Sequence, residues 1–283
     1  MAVSEARVAA YYDDAAIDFG RWSARRHLHF GYCALGANPF DREAMLDRMS
    51  VEVTGRLRLD AGEPARVLDL GCGLGETALS LARRFPSAVV HGLTLSASQA
   101  HSATLSARSE QLGDRVTFAR GSYLNITVAP GSVDAAYAIE SACYAPGPAK
   151  AQLIHEAARV LRGRGRFVVA DAFLRSDRPL QGAAKRLHAG LCERWRLPCL
   201  GSIGPFTDAL HDAGFDEVVV RDISLRVAPS VLHVPLLVGR SLCDSALRAD
   251  PVRRDNVLAP LLAAALGAMP GVVGYYLVEA TRR

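Results

Sequence analysis

The chain has 283 residues, half of them hydrophobic and 22% charged, a balance that supports a full globular core and excludes a disordered chain. Lys and Arg number 33 against 29 Asp and Glu, for a formal net charge of +4. The arginines fall in scattered pairs at 25–26, 83–84, 253–254 and 282–283, which argues against a nucleic-acid partner.

Residues 1–62 read as a helical cap. A helix is expected over Glu5–Ala16, and a better one over Asp41–Leu57 with Asp41 as N-cap. In the second, Met45, Leu46, Met49 and Val53 share one face at helical spacing. Between them His27-Leu28-His29-Phe30-Gly31-Tyr32 reads as a loop. From residue 63 to 175 the pattern alternates. Strands are expected at 66–70, 88–93, 116–119, 133–139 and 165–170, with helices at 76–84, 96–111 and 149–161 between them. Continuous apolar strands alternating with helices predict a parallel sheet covered on both faces.

Residues 176–213 read as helix and loop, and 218–223 and 272–279 as two closing strands with a mostly helical stretch between. The apolar run 257–273 is interrupted by Pro260, Gly267, Pro270 and Gly271. It is too short for a membrane span and reads as a core helix followed by a turn. The expected fold is α/β: a Rossmann-like, seven-stranded, mostly parallel sheet with an N-terminal helical cap and late helical insertions. The whole chain is one expected domain, with the acceptor pocket assigned to 176–283, because crevices beyond the strand ends bind ligands in such sheets.

Cys33, Cys72, Cys143, Cys192, Cys199 and Cys243 form no C-x-x-C pair and no zinc-finger spacing with histidine. They read as reduced thiols, which suits a cytoplasmic protein. The N-terminal stretch has no apolar core of signal-peptide length.

The informative motif is Asp69-Leu70-Gly71-Cys72-Gly73-Leu74-Gly75, between a strand and a helix. Glycines permit a tight turn and let a ligand touch the main chain, and the helix start offers free N–H groups. The spacing differs from the dinucleotide fingerprint G-x-G-x-x-G. A carboxylate two residues before Gly71 favours a ligand with a cationic end, such as the ammonium of a methionine moiety. A dehydrogenase normally places an acid roughly 20 residues past the loop to hold a ribose. Here that place reads Gly92-Leu93-Thr94-Leu95-Ser96, which counts against a nicotinamide cofactor. An NAD-dependent oxidoreductase and a non-catalytic nucleotide-binding module remain as alternatives on the loop alone.

Several runs together resemble a known family. Val67-Leu68-Asp69-Leu70-Gly71-Cys72-Gly73 is similar to the first motif of class I S-adenosylmethionine-dependent methyltransferases. His91-Gly92-Leu93-Thr94-Leu95-Ser96-Ala97-Ser98-Gln99 resembles the G-I-T-L-S-x-x-Q run of a narrower group. That group holds sterol, tocopherol and cyclopropane fatty-acid methyltransferases and many natural-product tailoring enzymes. Tyr137-Ala138-Ile139-Glu140-Ser141-Ala142-Cys143-Tyr144-Ala145-Pro146 is similar to the Y-A-I-E-A-T-C-H-A-P run of sterol methyltransferases, with Tyr144 in place of His. Glu156-Ala157-Ala158-Arg159-Val160-Leu161 and Tyr11-Tyr12-Asp13 resemble two further motifs.

The resemblance covers most of residues 8–175. It implies S-adenosylmethionine as cofactor, held by Tyr12, Asp69, Gly71, Gly73 and Gly75. Thr94, Leu95 and Gln99 take over from the missing ribose acid. Gly121-Ser122-Tyr123 stands where the family usually has an acid near adenine, so Ser122 and Tyr123 are the adenine-side candidates.

Methyl transfer needs alignment and exclusion of water. A hydroxyl acceptor also needs a base, whereas a neutral amine needs little help. Glu140, at the end of an apolar strand, is the first catalytic candidate, since burial there raises a carboxyl pKa to a useful value. His29 is the second; without a third ligand the His27–His29 pair implies no metal. Aromatic residues make up 7% of the chain, which argues against a π-lined pocket for alkene methylation. The expected activity is methylation (EC 2.1.1.-) of a small, hydrophobic natural-product metabolite on C, N or O, by a monomer or homodimer with no membrane span. The alternative is C-methylation of an isoprenoid or sterol-like alkene.

Overall fold

The computed structural model describes residues 3–283; Met1 and Ala2, the start of the expected cap, lie outside the described residues. Ser4 caps the first helix, α1 (Glu5–Asp14), by accepting from Arg7 N. A 3-10 turn at Ala15–Asp18 and the short α2 (Phe19–Trp22) follow. Asp41 caps α3 (Arg42–Gly55), with Ala44 N 3.0 Å from its Oδ1.

The core then alternates as β1 (Ala65–Leu70), α4 (Glu76–Arg84), β2 (Ala88–Thr94), α5 (Ala97–Ser109), β3 (Val116–Arg120), β4 (Val133–Ile139), α6 (Ala151–Val160) and β5 (Leu161–Leu174). Next come α7 (Gly182–Trp195), the two-residue β6 (Gly201–Ser202), α8 (Ile203–Asp212) and β7 (Phe215–Asp222). Then α9 (Ser224–Val231), α10 (Val234–Leu242), α11 (Ser245–Ala249) and α12 (Pro251–Gly267) precede β8 (Val273–Arg282).

The sheet order is β3-β2-β1-β4-β5-β8-β7, with β6 paired to β5 as an eighth strand beside the seven expected. The pairs among β1–β5 are parallel, and β8 runs antiparallel between β5 and β7. Strand β5 is longer than the expected 165–170. Its pairing with β4 jumps from Val133↔Leu161 to Ala135↔Arg166, so the Gly-rich run 162–165 loops out of register and the strand continues past it.

Alternate strand residues feed opposite layers, as the two-residue period requires. Val67, Tyr137 and Val168 pack in one layer, Leu68, Ala138 and Val169 in the other. A third, smaller cluster joins α7 to α12. Helix α12 continues past Pro260 without a break, where an interruption was expected. Packing against α7 outweighs one missing backbone donor. None of the described helices is long and apolar enough to cross a membrane.

Strand order reverses between β1 and β4, so the ends of these strands open a crevice. The glycine loop leaves β1 there, and Glu140 and Ser141 leave β4.

Candidate active site

Two cavities meet at this crevice. The smaller, counted with its open mouth, spans about 830 Å³ over the glycine loop. The larger, counted the same way, spans about 2030 Å³ between the sheet end and helices α9, α10 and α12. Tyr12, Leu28, Glu140 and Tyr144 form the wall that both share.

In the glycine loop, Gly71 N and Cys72 N donate to Leu93 O at 2.9 and 2.8 Å, pinning the turn to the end of β2. Gly71, Gly73 and Gly75 all have positive φ, at 95°, 51° and 83°, which explains why glycine stands at each. Their surroundings differ. A Cβ on Gly71 would lie 2.3 Å from Ser141 Cβ, inside the β1–β4 junction. One on Gly73 would meet only the Leu28 side chain, at 3.1 Å. One on Gly75 would strike Phe118 Cζ at 2.5 Å, under the loop. Gly71 and Gly73 line the small cavity; Gly75 does not, and it serves the strand–helix packing instead.

Asp69 is 3% exposed and lines the small cavity. Burial raises its pKa to about 7, against a lowering hydrogen bond from Tyr137 Oη at 2.8 Å. Among the described residues no cationic side chain pairs with it. Thr94 donates to Gln99 Oε1 at 2.7 Å, and Ser96 caps α5, so the end of β2 presents Thr94, Leu95 and Gln99 together. Gln99 is 2% exposed, yet its Nε2 has no partner among the described residues. A buried carboxylate without a cation and a buried amide without an acceptor fit a ligand that carries both an ammonium and hydroxyls. S-adenosylmethionine carries both.

The adenine-side candidates separate. Tyr123 lines the small cavity and donates to Ser141 O at 2.7 Å. Ser122 does not line it; its hydroxyl donates to Glu5 and accepts from Leu124 N at 3.0 Å, turned toward α1.

The Tyr11-Tyr12-Asp13 run acts as a fastener. Tyr11 Oη donates to Asn256 Oδ1 at 2.6 Å, and Tyr12 Oη donates to Tyr144 Oη at 2.7 Å. Asp13 Oδ1 accepts from Ser98 N at 3.1 Å at the start of α5. One turn of α1 thus ties the cap to α12, to the turn after β4 and to α5.

Glu140 sits at φ 48°, a strained value for a non-glycine residue. Its Oε1 accepts from Phe30 N at 2.6 Å and from Tyr275 Oη at 2.7 Å. Burial raises its pKa to about 8; the two hydrogen bonds oppose the shift. His29 also lines the small cavity, but its ring is turned into the cap. Nδ1 lies 2.9 Å from Phe30 O and Nε2 3.4 Å from Ser50 Oγ. Burial lowers its pKa to about 3, which makes it a weak base with both nitrogens occupied, against the expectation that it offers one to the acceptor. Cys72 is half-buried on the wall of the small cavity, and desolvation pushes its thiol pKa up. All six cysteines are free. Among the described residues no group of three or more His, Cys, Asp or Glu could hold a metal.

Sequence reading missed Asp171, Tyr275 and Lys150. Asp171 and Tyr275 come from β5 and β8 to the larger cavity. Lys150, fully buried, donates to the carbonyls of Cys143, Ala145 and Cys199 at 3.1, 2.7 and 2.9 Å. It fixes the 3-10 turn Ala142–Tyr144. No local pattern marks any of the three, since each acts on residues brought near by the fold. The low aromatic content was also a poor guide. Four of the eight tyrosines and both tryptophans line the larger cavity.

The methyltransferase domain family matches residues 67–165. A methyltransferase designated GfsG from Streptomyces halstedii is 32% identical over 79% of this chain and 77% of its own length. The 27-O-demethylrifamycin SV methyltransferase of Amycolatopsis mediterranei is 30% identical over 72% of each chain. The geranyl diphosphate C-methyltransferase of Streptomyces coelicolor A3(2), solved with Mg2+, geranyl diphosphate and S-adenosyl-L-homocysteine, superposes with a TM-score of 0.76. It is 19% identical, over 99% of this chain and 97% of that one.

Proposed function

Because the chain belongs to the class I S-adenosylmethionine-dependent methyltransferases, with S-adenosylmethionine as cofactor, we propose that it methylates a hydroxyl of a large, apolar natural-product metabolite, with Glu140 taking the hydroxyl proton. The observation that carries this reading is the place of Glu140. It stands on the wall between the cofactor-sized cavity and the larger apolar one, with its pKa raised by burial to about 8. A base works best when its pKa lies near the working pH.

Bound S-adenosylmethionine supplies an electrophilic methyl group on a sulfonium. Asp69 would hold the ammonium of its methionine end, Thr94 and Gln99 the ribose hydroxyls, and Tyr123 would stand on the adenine side. Tyr12 and Tyr144, joined by their hydroxyls, wall the reacting centre and exclude water. Phe30 N–H and Tyr275 O–H hold the Glu140 carboxyl in one orientation, and the acceptor proton moves to that carboxylate. The size of the larger cavity suits an acceptor of many carbon atoms.

A second reading, C-methylation of an alkene, draws support from the aromatic lining around the same glutamate. The two are separated by turnover with methyl-13C S-adenosylmethionine and hydroxyl-bearing macrolide or polycyclic acceptors. The product's carbon-13 shift distinguishes a methyl ether from a methyl on carbon or nitrogen. A C-methyl product would overturn the hydroxyl reading.

A further inference from the structure

The larger cavity carries two carboxyl groups at its reacting end, Glu140 and Asp171. The described residues that line it include no Lys, Arg or His. Asp171 is 2% exposed on β5. Its Oδ2 accepts from Cys143 N at 2.9 Å and its Oδ1 from Ala172 N at 2.8 Å. Both oxygens are therefore held by backbone donors, and Glu140 Oε1 is already doubly bonded. Two cations lie behind this end, and neither lines the cavity. Lys150 spends its donors on three carbonyls. Arg42 lies over the Trp22 ring at 4.4 Å and donates to Trp22 O, while its Nε and Nη2 have no partner among the described residues.

Resting on the methyl-transfer reading, we propose that Asp171, facing the reacting end together with Glu140, is a specificity-determining residue that excludes anionic acceptors, so that the acceptor is uncharged where it meets the methyl donor. An anion placed there would leave water for an apolar cavity whose described lining carries no cation, and near pH 7 it would face the ionised carboxylate of Asp171, whose pKa burial raises only to about 6. Like charges a few ångströms apart repel strongly in such surroundings. The related fold solved with geranyl diphosphate and Mg2+ gives the contrast. Here a diphosphate meets two carboxyl groups already bonded to backbone and tyrosine donors, and the described residues offer no metal cluster. The reacting end instead fits a neutral alcohol or phenol carried on an apolar body.

The test uses two probes with one skeleton: N-phenyl-1-naphthylamine, which is neutral, and 1-anilinonaphthalene-8-sulfonate, which is a permanent anion. Both are titrated by fluorescence into the chain loaded with S-adenosylhomocysteine. The neutral probe is expected to bind at least about ten-fold more tightly, and Asp171→Asn to narrow that ratio by about three-fold or more. Geranyl diphosphate, with or without Mg2+, is expected not to displace the neutral probe.

Any failure to prefer the neutral probe, its failure to bind included, overturns the proposal. So does an unchanged ratio in an Asp171→Asn variant that still binds S-adenosylhomocysteine, or displacement by geranyl diphosphate. If Asp171→Asn does not bind S-adenosylhomocysteine, the ratio is measured in the parent at pH 5 and pH 7.5, on either side of the Asp171 pKa of about 6; it is expected to narrow at pH 5, and an unchanged ratio is equally fatal. Failure of the methyl-transfer reading would show separately, as a parent chain that binds no S-adenosylhomocysteine.

Discussion

The hydroxyl of Tyr275, on the last strand, lies 2.7 Å from Oε1 of Glu140, at the end of β4, and donates to it. This bond favours the ionised carboxyl and so pulls its pKa down against the larger effect of burial. Tyr275→Phe removes it. The Glu140 pKa should then rise further above about 8. A lost hydrogen bond to a charged group corresponds to about one to two pH units. The acid limb of the kcat/KM profile should move up by that amount, while the high-pH plateau stays within a few-fold. An unmoved limb would show that the limb does not report Glu140.

Glu140→Gln keeps shape but removes the proton acceptor. Turnover should fall by about 10²–10⁴, the range for loss of a general base, with S-adenosylhomocysteine affinity nearly constant. The rise of rate with pH should vanish in the variant. A tens-fold loss confined to the Michaelis constant would mean that Glu140 only orients the acceptor.

Asp69 should make cofactor binding pH-dependent. Its folded pKa, raised by burial to about 7, means that it is protonated at pH 5.5 and ionised at pH 8.5. Only the ionised form attracts an ammonium, so affinity should rise with pH and level off above about 7. The sign for folding is opposite. A carboxyl whose pKa is raised on folding costs stability as pH climbs from the unfolded value of about 4 to the folded one. The ligand-free chain should therefore melt lower at pH 8.5 than at pH 5.5 from this source. Asp69→Asn should flatten both dependences, measured by calorimetry and thermal melts. A variant as pH-sensitive as the parent would dissociate Asp69 from the ammonium.

The two loop glycines that line the small cavity should fail in different ways. Gly71→Val drives a Cβ into Ser141 and adds strain at positive φ, so the β1–β4 junction and the fold itself should suffer. Gly73→Ala meets only the end of Leu28, which can turn aside. That variant should fold, with weakened S-adenosylhomocysteine binding. Melting temperatures and calorimetry on both variants check the split; a Gly71→Val chain as stable as the parent would contradict it.

Gln99→Ala removes an amide whose Nε2 has no partner among the described residues. If that amide meets a ribose hydroxyl, the dissociation constant for S-adenosylmethionine should rise about two- to twelve-fold, as for a lost neutral hydrogen bond of about 0.5–1.5 kcal/mol. An unchanged constant would place Gln99 away from the ribose.

The amino-acid sequence by itself determined most of the alternating core elements and the turn chemistry. Glu76–Arg84 and Val133–Ile139 have the bounds expected from apolar patterning, and Asp41 caps its helix as expected. These features depend on residues within one turn or one strand, so their causes lie next to one another in the chain. The glycine loop was legible for the same reason: tight turns at positive φ tolerate few residues. Only the tertiary structure decided which side chains face the cavities. Gly75 and Ser122, adjacent in pattern to cavity-lining residues, are turned against Phe118 and Glu5. His29 is turned into the cap, and Tyr275 and Asp171 arrive from strand positions that no quoted motif includes. The carboxyl pKa values of Asp69, Glu140 and Asp171 follow from that arrangement, because desolvation depends on what packs above a group and not on its neighbours in sequence.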